Sequence, residues 1–135
     1  MKFLSILAAF LLSVCAFAQA PKDKEAMEKE FRENLDKEID RLTNLLELED
    51  WQVFYMDSIL THNSYGRRDE MMEMSEKKVS NIDAYSRVND KWTEATYVAF
   101  QKIFTEEQWE KYNKTGAAKA KKARDKRAEK LKIEK

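Results

Sequence analysis

Few residues in this chain could do catalytic chemistry, and they do not stand together. The only histidine is His62, the only cysteine is Cys15, and the chain has no glycine-rich phosphate loop and no serine in a nucleophile-elbow context. A di-iron bundle would use Glu-x-x-His, but Ile59 stands three residues before His62. The sequence therefore predicts neither an enzyme nor a bound cofactor, and it predicts that His62 lies in a surface turn.

Methionine sulfur is the remaining candidate for metal binding. Met56, Met71, Met72 and Met74 could offer thioethers to a soft ion such as Cu(I). Methionine in a helix more often fills gaps in packing, and the 71–74 cluster wraps around a helix instead of lining one face. We therefore expect no metal site, and metal sensing is the least favoured function.

Two short segments echo each other at a spacing of 56 positions. They are Leu48-Glu49-Asp50-Trp51-Gln52 and Phe104-Thr105-Glu106-Glu107-Gln108. In the second copy, the Thr105 side chain can accept from the N–H of Gln108 while Gln108 reaches back to the N–H of Thr105, which makes a capping box. In the first copy Glu49 stands in place of Thr, so we expect Asp50 to serve as the cap. Each copy predicts where one helix ends and the next begins.

The first 18 residues are predicted to be a signal peptide. Lys2 provides a short positive region, Phe3 to Val14 is almost wholly apolar, and Ala16-Phe17-Ala18 supplies the small residues that signal peptidase requires. The apolar run of about twelve residues is too short for a transmembrane helix, which needs about 20. We expect cleavage after Ala18 and export to the periplasm or out of the cell.

A lipoprotein signal is the less favoured alternative. Leu12-Ser13-Val14-Cys15 resembles a lipobox, in which Cys15 would be lipidated. Gly or Ala usually precedes that cysteine, and here the residue is Val14. Either route exports the mature chain.

Composition predicts a single all-α domain with a basic tail. Cleavage leaves 117 of the 135 residues (135 − 18) and no cysteine, while two Gly and one Pro in the whole chain argue against β-hairpins. Residues 22–110 carry 13 Lys or Arg against 22 Asp or Glu, a net charge of −9, whereas residues 111–135 carry 11 against 3, a net charge of +8. We expect a helical domain over residues 19–112 and an Ala/Lys/Arg-rich tail over 113–135.

Apolar periodicity predicts an elongated hairpin or bundle of three to four helices. Residues 22–48 form one long amphipathic helix, and residues 50–61 form a second helix or a kinked continuation of the first. Because 50–61 is apolar on more than one side, we place it at the bundle centre or at a subunit interface. A turn is predicted at 62–66, a third helix at 67–104 and a fourth from Thr105, with a stop near Gly116.

With these residues placed, the chain resembles the Spy/CpxP family of bacterial periplasmic proteins, which are small all-α proteins defined by paired Leu-Thr-x-x-Gln motifs. Residues 104–108 match with Phe for Leu, and residues 48–52 match with Glu for Thr. The resemblance covers roughly residues 25–112, leaves the basic tail outside, and is to the exported members common in Bacteroidetes. It implies a helical hairpin, often dimerised into a thin cradle, that binds unfolded polypeptides without ATP or senses envelope stress or metal.

Two sets of side chains are candidates for partner contacts. Six aromatic side chains are more than a thin helical hairpin needs for its core, so they could bind unfolded clients or form a dimer interface. The alternative is that they form the core. The residues of this set are Trp51, Phe54, Tyr55, Trp92, Tyr97 and Phe100. The basic tail could touch an anionic envelope surface, or fold against the acidic body of its own or a partner subunit; without interleaved aromatics we expect no nucleic acid. Its residues are Lys119, Lys121, Lys122, Arg124, Lys126 and Arg127.

These observations favour an exported, dimeric binding protein with a chaperone-like or envelope-stress function. The runner-up is a structural or adaptor protein that uses its helices for one specific partner and its basic tail to dock on the envelope. In isolation, the basic tail is expected to be frayed or disordered because it has little apolar surface to bury.

Overall fold

The computed structural model describes residues 23–133 as five α-helices. They are α1 Lys24–Leu46, α2 Asp50–Glu76, α3 Ile82–Ile103, α4 Glu106–Tyr112 and α5 Ala118–Ile133, with a π-helical turn Asn113–Ala117 between the last two. No strand occurs in this part of the chain, so the all-α prediction is confirmed. The predicted signal peptide and Cys15 lie outside the described residues. None of the helices between residues 23 and 133 is both long and apolar enough to cross a bilayer.

Helices α1, α2 and α3 follow one another in antiparallel succession. The rings of Phe31 and Tyr65, with centroids 4.9 Å apart, join α1 to α2. The Asn63 amide donates to the Thr96 hydroxyl at 3.0 Å and joins α2 to α3. Helix α4 packs back against α1, and α5 lies along α3. The 27 residues of α2 make the molecule elongated, because they span about 40 Å at 1.5 Å per residue.

The apolar face of α1 forms the core, as its periodicity predicts. Every third or fourth residue of this face is buried, and each such side chain contributes about 1.5–3 kcal/mol of burial free energy. The buried residues of α1 are Leu35, Ile39, Leu42 and Leu46, and they pack with Met56, Phe100 and Phe104. The core therefore lies toward the end of the bundle where the two motifs begin α2 and α4.

The turn predicted at residues 62–66 is wrong, because α2 continues through this segment to Glu76. Asn63 and Ser64 are poor helix formers, but packing against neighbouring helices overrides propensity. Here Asn63 bonds Thr96, and the Tyr65 ring packs edge-on against Phe31. His62 is accordingly an exposed helical residue, not a turn residue.

Gly66 serves close helix packing and not a turn. A Cβ atom at this position would lie 2.4 Å from Cη2 of Trp92, which is far inside van der Waals contact. The Trp92 indole crosses α2 there, with its N–H donating to the Glu70 carboxylate at 2.8 Å and its ring 6.1 Å from that of His62. Only glycine lets α2 and α3 approach this closely.

The turn between α2 and α3 lies instead at residues 77–81, inside the predicted third helix. Lys78 adopts a left-handed conformation with φ 55°, and the Asn81 side chain accepts from the N–H of Asp83 at 2.9 Å to cap α3. Helix α2 therefore ends at Glu76 and Asn81 starts a new helix, whereas the sequence predicts one continuous helix over residues 67–104.

The basic tail is a helix, not a frayed segment. Gly116, with φ 105°, interrupts the path from α4 to α5 as the predicted stop requires. The chain then re-enters a regular helix from Ala118 to Ile133. This helix packs on α3. The tail therefore folds against the body of its own subunit, which is one of the predicted alternatives.

Candidate interaction surface

The two echoing motifs meet each other through their glutamines. Nε2 of Gln52 donates to Oε1 of Gln108 at 2.6 Å, and Nε2 of Gln108 donates back to Oε1 of Gln52 at 3.1 Å. Gln52 also donates to the carbonyl of Ile103 at 2.9 Å and is only 1% exposed. Because a buried amide needs its partners, this pair joins the start of α2 to the start of α4.

Each glutamine also closes its own capping box. Oε1 of Gln108 accepts from the N–H of Thr105 at 2.9 Å, and the Thr105 hydroxyl accepts from the N–H of Gln108 at 3.3 Å. This is the capping box that the sequence predicts for the second copy.

In the first copy, Oε1 of Gln52 accepts from the N–H of Glu49 at 3.0 Å. Glu49, and not Asp50 as predicted, is the N-cap residue of α2. The Glu49 carboxylate faces the N–H of Gln52 without a close hydrogen bond. It instead accepts a short hydrogen bond, at 2.6 Å, from the indole N–H of Trp51.

The capped start of α2 has one buried and one exposed face. Gln52 and Met56 point inward and are almost completely buried. Trp51, Phe54 and Tyr55 point outward, and 50%, 70% and 52% of their surfaces are exposed. We call these three residues the aromatic patch. The prediction that residues 50–61 lie at the bundle centre is therefore wrong, because the outer face of this segment is exposed. The alternative, a position at a subunit interface, stays a prediction.

Ring contacts and one hydrogen bond order the aromatic patch. The Trp51 and Tyr55 rings meet edge to face with centroids 6.3 Å apart, and those of Phe54 and Tyr55 meet at 5.6 Å. The bond from the Trp51 indole to Glu49 orients the first ring. Such preorganisation lowers the conformational entropy lost when a partner covers the patch.

Carboxylates surround the aromatic patch. Glu47, Glu49 and Asp50 flank it along the chain and are exposed. The glutamine pair brings the acidic first turn of α4, with Glu106 and Glu107, to the same end of the molecule. Lys111 pairs with Glu47 at 3.4 Å and with Glu107 at 3.3 Å, so its positive charge offsets part of this negative charge. This end of the bundle thus presents apolar rings beside an excess of negative charge.

The other three aromatic candidates lie between helices. Phe100 is 1% exposed and belongs to the core, so its assignment to a client or dimer surface is wrong. Trp92 packs across Gly66. Tyr97 packs on Trp109, with ring centroids 4.7 Å apart, and donates from its hydroxyl to Asn113 at 2.8 Å. These three residues hold α2, α3 and α4 together.

Ion pairs hold α5 against α3. Arg127 makes two bonds to the Asp90 carboxylate, at 2.6 and 2.8 Å, and these bonds hold the pKa of Asp90 below its ordinary value. Arg124, whose side chain is 6% exposed, bonds Glu94 at 3.1 Å, and Lys121 reaches the same carboxylate at 3.0 Å. The inward-facing cations of the basic tail are therefore neutralised by their own subunit.

The outward face of α5 carries unpaired lysines. Lys119, Lys122, Lys126 and Lys130 recur every three or four residues, and all are exposed. Within residues 23–133 none of the four lies in an ion pair, in contrast to Lys121, Arg124 and Arg127. We call these four residues the lysine stripe. The tertiary contacts of α5 thus divide the six predicted basic residues into three that pair with α3 and three that belong to the lysine stripe, to which the structure adds Lys130.

The candidate metal ligands do not form a cluster. Met56 is buried in the core and Met72 is 49% exposed, while Met71 and Met74 are half-buried on α2. Within residues 23–133 no three His, Cys, Asp or Glu side chains gather in a way that could hold a metal ion.

The pairing of Gln52 with Gln108 was not predicted from the sequence. Each glutamine was expected only to cap its own helix. The signal was present, since the same amide occupies the same position of both copies, but the pairing depends on α2 and α4 starting side by side.

No protein-family model, no curated protein and no solved structure matches this chain.

Proposed function

We propose that this protein binds unfolded or partner polypeptides on the aromatic patch without using ATP, as a chaperone-like or envelope-stress factor. The observation that carries the proposal is the exposure of Trp51, Phe54 and Tyr55 side by side. Soluble proteins leave few contiguous aromatic side chains uncovered unless a partner covers them.

The size and chemistry of the patch suit short, transient contacts. An aromatic side chain buries about 150–250 Å² when it is fully covered, so three half-exposed rings offer a few hundred Å². That area is small for a permanent interface, which buries more than about 1,200 Å² in total. The surrounding carboxylates would attract basic segments of a client over longer distances.

An aggregation assay tests this function. The purified mature chain should suppress aggregation of several unrelated unfolding substrates at near-stoichiometric ratios. The Phe54→Ser/Tyr55→Ser variant should lose most of this protection because the apolar contact area is gone. Ile82→Ser is the matched control, since Ile82 is 79% exposed at the opposite end of the α2–α3 hairpin. Protection of no substrate by the unaltered chain would end the proposal.

Export and membership of the Spy/CpxP family are part of the same proposal. They rest on the apolar start of the chain with its Ala16-Phe17-Ala18 site and on the two motifs. Mass spectrometry of the mature protein tests export: cleavage after Ala18 supports it, a lipid on Cys15 gives the alternative route, and an intact Met1 contradicts it.

The lysine stripe favours a second candidate, an adaptor that docks on an anionic envelope surface. Each lysine near such a surface contributes about 1 kcal/mol of attraction, and salt screens it. The chain should then sediment with phosphatidylglycerol vesicles but not with phosphatidylcholine vesicles, and the K119E/K122E/K126E variant should remain in solution. Equal recovery with both kinds of vesicle would reject the adaptor.

A further inference from the structure

A second exposed apolar site lies at the end of α5. Leu131 is 37% exposed and Ile133 is 84% exposed, which makes Ile133 the most exposed large apolar residue described. Lys130 precedes Leu131, Lys132 lies between the two apolar residues, and both lysines are exposed. The segment thus offers apolar side chains among positive charges, which complements the aromatic patch with its carboxylates.

The end of α5 faces away from the aromatic patch of its own subunit. The pairs Arg124–Glu94 and Arg127–Asp90 show that α5 runs antiparallel to α3. The C-terminal end of α3 lies beside the paired glutamines, since Ile103 accepts a bond from Gln52. The 16 residues of α5 span about 24 Å, so its last turn is about a helix length from that end.

We propose that the last turn of α5 in one copy of this chain binds the aromatic patch of a second copy. Ile133 and Leu131 contact Phe54 and the neighbouring rings, and Lys130 and Lys132 approach the carboxylates around the patch. Because each copy carries both halves of the contact, two copies related by a two-fold axis make it twice and form a closed pair. The occupant is argued from complementary charge and from complementary exposed apolar side chains.

The proposal shares the aromatic patch with the proposed function and adds a regulation to it. A client that needs the patch must first displace the α5 segment of the partner copy. The contact is small and partly electrostatic, so the pair is concentration-dependent and weakens as salt screens the lysine–carboxylate attraction. The chain would therefore release its own patch upon dilution or when client is in excess.

Sedimentation velocity over a range of concentrations tests the pair. The mature chain should sediment as a reversible dimer at high concentration and low salt. Ile133→Ser should weaken each of the two contacts by roughly 10- to 100-fold, the value expected for losing one buried aliphatic side chain, and self-association of the pair by roughly 100- to 10,000-fold. Phe54→Ser should weaken it similarly. Met27→Ser, which removes an exposed apolar side chain of α1, should leave it unchanged.

A mixing experiment distinguishes this contact from other dimers. Ile133→Ser keeps an intact patch, and Phe54→Ser keeps an intact α5, so each variant is weakened alone but the mixture regains one of the two contacts. Association that reappears on mixing supports binding of α5 to the patch. A patch-to-patch dimer would instead be insensitive to Ile133→Ser, and that result overturns the proposal, as does a chain that stays monomeric at every concentration.

The test separates the failure of this inference from failure of the proposed function. If the dimer forms and mixing restores it, but no substrate is protected from aggregation, the inference stands and the client function falls. If both hold, Ile133→Ser should protect substrates at lower concentrations than the unaltered chain because its patch is no longer covered.

Discussion

The motif end of the bundle and the α3–α5 junction both hold helices side by side, but they do so with opposite chemistry. At the motif end, a buried amide pair between Gln52 and Gln108 lies among apolar side chains such as Leu46 and Met56. At the junction, α5 is held by ion pairs such as Arg127–Asp90, in which the arginine side chain is 49% exposed. The glutamine pair is shielded from water, whereas the junction combines the exposed Arg127–Asp90 pair with the pair between the buried Arg124 and the partly exposed Glu94.

This difference sets how each region responds to change. Removing one partner of a buried hydrogen bond leaves the other unsatisfied at a cost of about 1–3 kcal/mol. Exposed ion pairs contribute about 0–1 kcal/mol and are screened by salt. We therefore expect α5 to detach under conditions in which the motif end stays folded.

The largest effect is expected for Leu42→Ala in the core beside the motif end. Leu42 is 1% exposed, and truncating such a leucine costs about 2–5 kcal/mol through lost burial and the cavity left behind. Urea denaturation measures the change in unfolding free energy. Leu45→Ala is the control, since Leu45 lies in the same helix and is 43% exposed. Equal losses for the two variants would contradict the placement of the core.

Gln52→Leu should follow, with a loss of about 1–3 kcal/mol. The change keeps the approximate volume but leaves the Gln108 amide, the Ile103 carbonyl and the Glu49 N–H without their partner. Adding Gln108→Leu should cost less than the sum of the two single changes, because the pair is already broken. Gln101→Leu, on the exposed side of α3, provides the control.

Gly66→Ala, midway along the α2–α3 hairpin, should cost about 1–3 kcal/mol by overpacking. The added methyl group collides with the Trp92 ring, and this outweighs the gain in helix propensity of about 1 kcal/mol. Combining it with Trp92→Ala tests the cause: with the ring gone, adding the methyl group to Gly66 should stabilise the chain. A clash that persists without the ring would mean that α2 packs differently here.

The smallest effect on global stability, and the one most dependent on conditions, is expected at the α3–α5 junction. Arg127 lowers the pKa of Asp90, so the pair stabilises the folded chain fully above the ordinary aspartate pKa of about 3.9 and loses this contribution as the pH falls through the lower folded value. Backbone NMR relaxation should show α5 becoming more mobile below about pH 4 or in high salt, before the core unfolds.

Arg127→Ala should make α5 mobile already at neutral pH, whereas Arg87→Ala, which removes an exposed arginine of α3, should not. If α5 stays rigid at low pH and in high salt, ion pairs are not what holds it.

The sequence predicted the parts of the fold that depend on local chemistry. The helical spacing of Leu35, Ile39 and Leu42 placed the buried face of α1, and Thr105 with Gln108 marked the start of α4. It failed at residues 62–66 because Asn63 and Gly66 look like turn residues, while their partners on α3, Thr96 and Trp92, are about 30 positions away along the chain.

The candidate surface was predicted only in composition. From the sequence, each of the six aromatic residues was an equally good candidate for the exposed interaction surface. Half of them lie outside, on the aromatic patch, and the rest lie between helices, because the rotation of α2 and α3 about their axes decides which ring faces water. That rotation depends on the buried Gln52 and Met56, whose neighbours come from other helices.

By itself, the sequence determined the all-α class, the helix starts at the two motifs and the contrast between an acidic body and a basic tail, because propensity, capping and charge act over a few residues. Only the tertiary structure decided that the two motif glutamines pair, that Gly66 admits Trp92, and that three of the eight cations of α5 pair with α3 while the lysine stripe forms no ion pair within residues 23–133. These features depend on distances between residues far apart in the chain, and no local pattern records such distances.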